Sequence, residues 1–488
     1  MDNRKENYLL DVTITAEDES IPNVRNSIPN VRCKVYLPER LTDPVRLTFH
    51  LDKEMARLFQ WLHIWRFSIE GERNPEPGFR TKISAKNVHS MDMTITHWSP
   101  ELAEAVLVAE PTDLKIEHIR PGEDSQATSQ SHGRFWLTPN KLLTPAQILN
   151  HSYTGDVKIE TVWHLEFILQ NGLPISFVNR YHHKKNANGE YVSFADLVAD
   201  FRKEGEPDNS TAAGESLQPL DVFLRLASLA ARQRSACLGY DISSTSGYSV
   251  KFFRRNVSIP VLRNDQDDVL IDQGHFESFL KTAYESLLKL DSAGLIKQAI
   301  DYALPRERDT VESSFLALYS ALETLVLYFR KGHRLETLFE ADEEEQWKQL
   351  ERDLRQWLKN HSLLNDNKDK RKLLYENLPA LKRVSFSTAF IKCRDFYGVK
   401  SDDLWPVLGS NEGWSLSTIR NKLVHGEHFA QRLGALGTGK EHLQWTVERF
   451  LLTILNWTVS ASNVSADYLT SNRTAYQNWM ADRRIISS

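Results

Sequence analysis

In the stretch WSLSTIRNKLVHGEHF, an arginine, an asparagine and a histidine stand in the pattern Arg420-Asn421-x-x-x-His425. On a helix turning 100° per residue, Asn421 and His425 are i,i+4 neighbours that project together, with Arg420 at their edge. Leu416, Ile419, Leu423 and Val424 share an apolar arc that would bury the same helix. One helix therefore holds a proton-transfer group, an amide and a fixed cation around one small site. Imidazole is the side chain that exchanges a proton near neutral pH, and guanidinium stays charged throughout. The same residues also fit a solvated helix end with an incidental Arg and His, because short spacings of this kind recur by chance. His428 adds a second imidazole at i,i+3 from His425. No Cys, His or carboxylate at matching spacing completes a metal site, so neither a metal nor another cofactor is expected.

The elements that would position these residues divide the chain into a strand-rich front and a helix-rich back. Between about Tyr8 and Phe201 the apolar residues recur with a period of two. The run Val157 to Leu169 places Val157, Ile159, Thr161, Trp163, Leu165, Phe167 and Leu169 on one face, the pattern of a half-buried antiparallel strand. Met91 to Trp98, Leu114 to Ile119, Arg32 to Leu37 and Val45 to Phe49 read as shorter strands, with a short helix around Lys53 to Leu62. The stretch PGEDSQATSQSHG ending at Gly133 reads as a loop, and the Asn-Gly pair in HHKKNANGEY as a hairpin turn. SIPNVRN followed by SIPNVRC, Ser20 to Cys33, is a tandem copy too short for a solenoid and reads as a duplication lengthening a loop.

Gly205 to Ser216 has linker composition. A helix, Leu220 to Ala236, and a hairpin through Gly247 to Phe253 follow. From Phe276 the period becomes about 3.6: Phe276, Phe279, Leu280, Ala283, Leu287 and Leu290 form one stripe, and Val311, Phe315, Leu318, Leu322, Leu325 and Phe329 a second. Asp309-Thr-Val-Glu312 precedes the second as a capping-box-like start. Further helices are expected over Glu343 to Asn360, Leu378 to Phe396, Ser415 to Gln431 and His442 to Ser460. The fold class is therefore α+β: an antiparallel, sandwich-like β-rich module over residues 1–204, a connector of helix plus hairpin over 217–270, and a helical bundle over 271–488.

Composition narrows the function classes without naming one. The 488 residues carry 60 Lys+Arg against 65 Asp+Glu, a net charge of −5 that excludes a globally basic nucleic-acid coat but not a local basic patch. Three separated cysteines indicate neither a disulfide framework nor a thiolate metal site. With no apolar signal core and no run of 18 apolar residues, the expected location is the cytoplasm, with no membrane partner. No glycine-rich phosphate loop of the Walker type is present, which argues against an ATPase or GTPase.

The back half resembles HEPN domains, helical bundles whose ribonucleases carry Arg-x(4–6)-His, often with a polar residue after the arginine. The hexapeptide RNKLVH matches that motif, and the helix SSFLALYSALETLVLYF resembles an early helix of the same family, with Glu323 as its acid. The layout as a whole resembles the ApeA-type anti-phage proteins. The resemblance implies a metal-independent RNA endonuclease of an abortive-infection system. His425 would accept the proton of a ribose 2′-OH that attacks the adjacent phosphate. Arg420 would stabilise charge on the phosphoryl oxygens, and Asn421 would orient the histidine or the phosphate. It also implies 2′,3′-cyclic phosphate products, structured RNA such as tRNA as substrate, a homodimer or higher symmetric oligomer, and a phage-derived trigger acting through the front module.

Other residues admit two readings. Glu323 either pairs with Arg420 across the bundle or faces solvent. Arg330 and Arg334 in RKGHR, and Lys370 and Arg371 in KDKRK, fit solvated turns or a surface that guides RNA. Tryptophans 61, 65, 98, 136 and 163 fit an aromatic core better than a ligand platform. A non-catalytic bundle that binds RNA or a partner, with a ligand-recognising β-module, is the alternative function. A carbohydrate-binding sandwich with a helical oligomerisation domain is a third class.

Overall fold

The computed structural model describes residues 7–16, 27–38, 43–53, 66–76, 79–98, 103–119, 131–151, 157–185, 191–203, 209–244, 248–254, 268–291, 293–306, 309–335, 337, 343–364, 367–409 and 413–488. The chain forms two compact units, Met1–Asp268 and Val269–Ser488. The first is built on antiparallel strands and the second on helices, as the change of apolar period predicts.

Strands β1 (Asn7–Ala16), β2 (Ser27–Tyr36), β3 (Arg46–Leu51), β4 (Arg66–Glu76), β5 (Phe79–Trp98) and β6 (Ala103–Ile119) open the first unit. They pair in the order β6-β3-β2-β1-β4-β5, and β5 pairs again with β6, so the six strands close into a ring. Alternate residues point inward and form one core, with Leu10, Val12 and Ile14 on β1, Val31, Cys33 and Val35 on β2, and Leu47, Phe49 and Leu51 on β3. Closure brings β4 hard against β1. A Cβ on Gly71 would lie 2.7 Å from Val12 Cγ1 and 2.8 Å from the Asp11 carbonyl, so only glycine fits there.

The long β6 joins this ring to a second set of strands. Its Ala105–Ala109 segment pairs with β3, whereas Asp113–His118 pairs with β14 (Ser249–Arg254). From β14 the sheet continues through β13 (Cys237–Ser244), β7 (Ser131–Leu137), β12 (Tyr191–Lys203), β11 (Pro174–Lys185) and β10 (Glu166–Ile168). Helix α1 (Asn209–Ala231) packs on this part, with the Phe223 ring 4.7 Å from Phe167 and 5.3 Å from Phe177. Strands β8 (Ala146–His151) and β9 (Val157–Trp163) form a separate hairpin.

Several expectations change. The sandwich gives way to a closed ring continuing into one twelve-stranded sheet, because β6 offers one edge to two successive partners. The run Val157 to Leu169 splits into β9 and β10, since its second half pairs with β11 while its first half pairs with β8. The expected connector over 217–270 contributes β13 and β14 to the middle of the sheet, so those strands belong to the first unit. Part of the expected linker is helix: Asn209 to Ser216 forms the start of α1, where buried Ser216 accepts a 2.6 Å bond from Asn171. Of the tandem copies, the second lies in β2, and the first lies outside the described residues. The helix expected at Lys53 to Leu62 and most of the loop before Gly133 also lie outside them. The hairpin of HHKKNANGEY is seen from its strands, with Lys185 opposite Tyr191.

The second unit contains α2 (Gln273–Leu290), α3 (Leu295–Ala303), α4 (Val311–Gly332), α5 (Glu344–Asn360), α6 (Lys368–Asn377), α7 (Phe386–Tyr397), α8 (Leu416–Val424), α9 (Leu433–Ile454), α10 (Ala466–Asn472) and α11 (Thr474–Ser487). Helix α4 is central and packs on α3, α7, α8 and α9. Thr310 caps it by accepting from the Ser313 N–H at 3.2 Å. The helix expected over Leu378 to Phe396 is two pieces, a 3-10 turn at Leu378–Lys382 and then α7 capped by Ser385. Helix α9 starts at Leu433, nine residues before the expected His442. Its early glycines each cost about 1 kcal/mol of helix propensity, and the same turns bury Ala435 and Leu436.

Candidate active site

Helix α8 is shorter than its sequence pattern, and both of its ends are held. At the start, buried Ser415 accepts from the Thr418 N–H at 3.2 Å. The Leu416 and Ser417 N–H groups donate to the carbonyls of Pro406 (3.0 Å) and Val407 (2.9 Å). The preceding loop is pinned by Arg483, which donates to the Gly413 and Trp414 carbonyls, each at 3.0 Å. At the other end, Gly426 adopts φ +83° and donates to the Leu423 carbonyl, while Glu427 donates to that of Lys422. This pair of bonds is the Schellman pattern, which stops the helix with His425 as its C-cap. The expected helix to Gln431 therefore ends early. Of the expected apolar arc, Leu416 and Ile419 are buried, Leu423 is half-buried and Val424 is exposed.

Arg420 is held from three sides. Its Nη2 is 3.2 Å from Glu323 Oε1 on α4, its Nη1 donates to Asn421 Oδ1 at 3.2 Å, and its guanidinium lies 5.6 Å from the Tyr319 ring centre. Of the two readings of Glu323, the structure has the ion pair. Its side chains are 33% and 40% exposed, so the pair orients more than it stabilises, about 0–1 kcal/mol. Tyr319 is itself anchored by a 2.7 Å bond to Ser417 Oγ, which donates onward to the Val407 carbonyl. Burial is the main reason the Tyr319 phenol is pushed above its ordinary value, so it stays a neutral donor or acceptor. Tyr319 and Ser417 were not singled out in the sequence. The signal that could have found Tyr319 is its place one turn before Glu323 on α4.

His425 is exposed at the helix end, and among the described residues nothing hydrogen-bonds its ring. Its backbone N–H donates to the Asn421 carbonyl at 3.0 Å, which keeps the i,i+4 relation of the motif. His428 is exposed beyond the turn. Arg330 donates to the Leu335 carbonyl at 3.3 Å and so braces the end of α4, and Arg334 follows that helix at φ +53°. Lys370 and Arg371 lie on α6, a different element, so the basic residues do not gather around Arg420 on one helix. Among the described residues, no group of three or more His, Cys, Asp or Glu is placed to hold a metal ion. Burial pushes the thiols of Cys33, Cys237 and Cys393 up to about 12, which leaves them inert as nucleophiles.

The first unit carries its own charged row, visible only once the strands are paired. Arg134 on β7 stands 3.6 Å from Asp200 on β12 and 3.4 Å from Asp241 on β13. Burial raises the Asp241 carboxyl above its usual range, against the pull of Arg134. Trp136 on the same strand is buried with Val198 and Leu238 in a small core, and Trp163 is half-buried. Trp61 and Trp65 lie outside the described residues, as does the side chain of Trp98. Among the described residues, no helix is long and apolar enough to cross a membrane.

Comparison of the chain with protein-family models, with curated proteins and with solved structures finds no match.

Proposed function

We propose that the helical unit is a metal-independent RNA endonuclease of the HEPN kind, with Arg420, Asn421 and His425 as its catalytic residues. The observation that carries this reading is the division of labour on α8. One cation is oriented by Glu323, Tyr319 and Asn421, and one imidazole is left unbonded at the end of the same short helix. An oriented cation and a free base are the two parts that in-line attack by a ribose hydroxyl needs.

His425 takes the proton from the 2′-OH as its oxygen bonds to the adjacent phosphorus. The P–O5′ bond breaks, leaving a 2′,3′-cyclic phosphate, and the 5′ oxygen departs as a hydroxyl with a proton from an acid or water. Arg420 offers a planar, permanently charged fork to the phosphoryl oxygens. Asn421, now an acceptor for Arg420, sets the angle of that fork. DNA, which lacks the 2′-OH, resists cleavage. A composite cleft made by two copies, tRNA or another structured RNA as substrate, and a phage-derived trigger sensed by the β unit complete the proposal as an abortive-infection effector. It needs no cofactor.

One observation favours a second reading, a non-catalytic bundle that binds RNA or a partner. Glu323 already occupies one edge of Arg420, so a phosphate must compete with a carboxylate for it. Sequencing RNA ends after induction of the parent chain and of His425→Ala separates the two. New ends that appear only with the parent are expected, and identical ends in both strains overturn the nuclease. Cleavage by purified protein is expected to persist in excess EDTA, because imidazole replaces a metal-bound hydroxide as base.

A further inference from the structure

Helices α5 and α6 and the 3-10 turn that follows them enclose an open groove of about 530 Å³, within the range of ligand clefts. Its wall includes Arg355, Lys368, Arg371, Lys372, Tyr375 and Glu376. Positions 368, 371, 372, 375 and 376 fall on one face of α6, so the basic run seen in the sequence is gathered on the concave side. Arg355 faces them from α5 and is fixed: its Nε and Nη2 donate to Glu351 Oε1 at 3.0 and 2.6 Å, and its guanidinium lies 5.1 Å from the Tyr375 ring centre. Tyr375 is tied back by its hydroxyl, which donates to the Arg355 carbonyl at 3.0 Å.

Positive charge in this groove is only partly compensated. Lys372 reaches Glu376 at 3.9 Å, the limit of an ion pair, and Lys368 forms none among the described residues. The cations are spread along more than a turn of α6, about 1.5 Å of rise per residue, and do not converge on one point. That spacing suits a string of phosphates better than a single one. Exposed Leu373 and Leu374 are not part of the wall, whereas a lipid surface would call for apolar and basic residues on one protruding face. A concave basic track with a fixed aromatic ring is how proteins hold single-stranded nucleic acid.

We propose that this groove docks the phosphate backbone of single-stranded RNA. It shares no residue with the Arg420 and His425 corner, and the proposal does not rest on cleavage. The test uses the full chain carrying His425→Ala, so that the RNA stays intact, with and without K368Q/R371Q/K372Q. Binding of a labelled oligouridine is followed by fluorescence anisotropy over a salt series, and folding by circular dichroism melting. Loss of three phosphate contacts is expected to weaken binding about tenfold. It should also reduce the slope of log affinity against log salt by about 2, at roughly 0.7 per contact. Should the triple variant melt early, Lys372→Gln alone is expected to lower the slope by about 0.7. Unchanged affinity and slope overturn the proposal, as does a parent that binds no oligouridine. Loss of binding to phosphatidylserine vesicles with RNA binding intact also overturns it. A protein that binds RNA through the groove yet cuts none leaves this inference standing while the nuclease reading fails.

Discussion

Two histidines of the helical unit lie in opposite surroundings. His442, on α9, is fully buried, and both ring nitrogens are engaged: Nδ1 accepts from the Trp405 N–H at 3.1 Å, and Nε2 donates to the Ala475 carbonyl at 3.2 Å. The rings of Trp445, Tyr476 and Trp479 surround it at 4.7 to 6.2 Å. Burial lowers its pKa to about 4, so it is neutral and locked in one tautomer. His425 caps a short helix in the open and has no ring partner among the described residues. A histidine whose two ring nitrogens are both engaged holds structure together, whereas one with a ring nitrogen free can exchange a proton with another group.

The same contrast separates two arginines. Arg449 is buried and donates two hydrogen bonds to the Asp403 carboxylate, at 2.6 and 2.7 Å, while also donating to the Val464 and Lys400 carbonyls. Burial alone would raise the Asp403 carboxyl, but hydrogen bonds from Arg449 and Tyr476 hold it below its usual range. Arg420 instead pairs with one partly exposed carboxylate.

The largest effect is expected on turnover: His425→Ala and Arg420→Ala each lower initial rates of RNA cleavage by about 10²–10⁴-fold. In urea unfolding the same variants stay within about 1 kcal/mol of the parent. A large loss of stability in His425→Ala would erase the distinction between the two histidines. Next, His442→Ala is expected to cost about 3–5 kcal/mol, since it leaves a cavity among aromatic rings and two unpaired backbone groups.

Burial of His442 also makes the stability of the fold depend on pH. With a native value near 4 and an unfolded one near 6.5, the unfolded chain binds the extra proton between them. The contribution of His442 to stability is whole above pH 6.5. It is lost as pH falls towards 4, by about 3 kcal/mol, and urea midpoints of the parent against His442→Gln should show that slope. The smallest effect is expected from Glu323→Gln, below about 1 kcal/mol by urea unfolding, because the Arg420 pair it removes is partly exposed.

Much of the fold was legible because its signals are local. Alternation marked β2, β3 and parts of β5 and β6, and the two helical stripes marked α2 and α4, since one buried face leaves a period in the residues themselves. What failed depended on distant partners. Val157 to Leu169 alternates without interruption, yet β8 and β11 divide it. Asn209 to Ser216 has the composition of a linker and becomes helix where Ser216 meets Asn171. The RNKLVH spacing is readable, but the helix expected to run to Gln431 stops at Gly426, and Phe429 is buried beyond the turn.

By itself the sequence determined which groups the chain owns: an arginine, an amide and an imidazole within six residues, a basic run, separated cysteines, and strands followed by helices. Residue type and short-range period are enough for that, because helix and strand geometry is set within a few residues. Only the tertiary structure decided that β6 closes a ring while extending a second sheet, that Glu323 and Tyr319 hold Arg420, and that His442 is buried while His425 is free. Those outcomes depend on pairs from 33 to over a hundred residues apart along the chain, among them His442 with Ala475 and Glu323 with Arg420, and no local pattern records them.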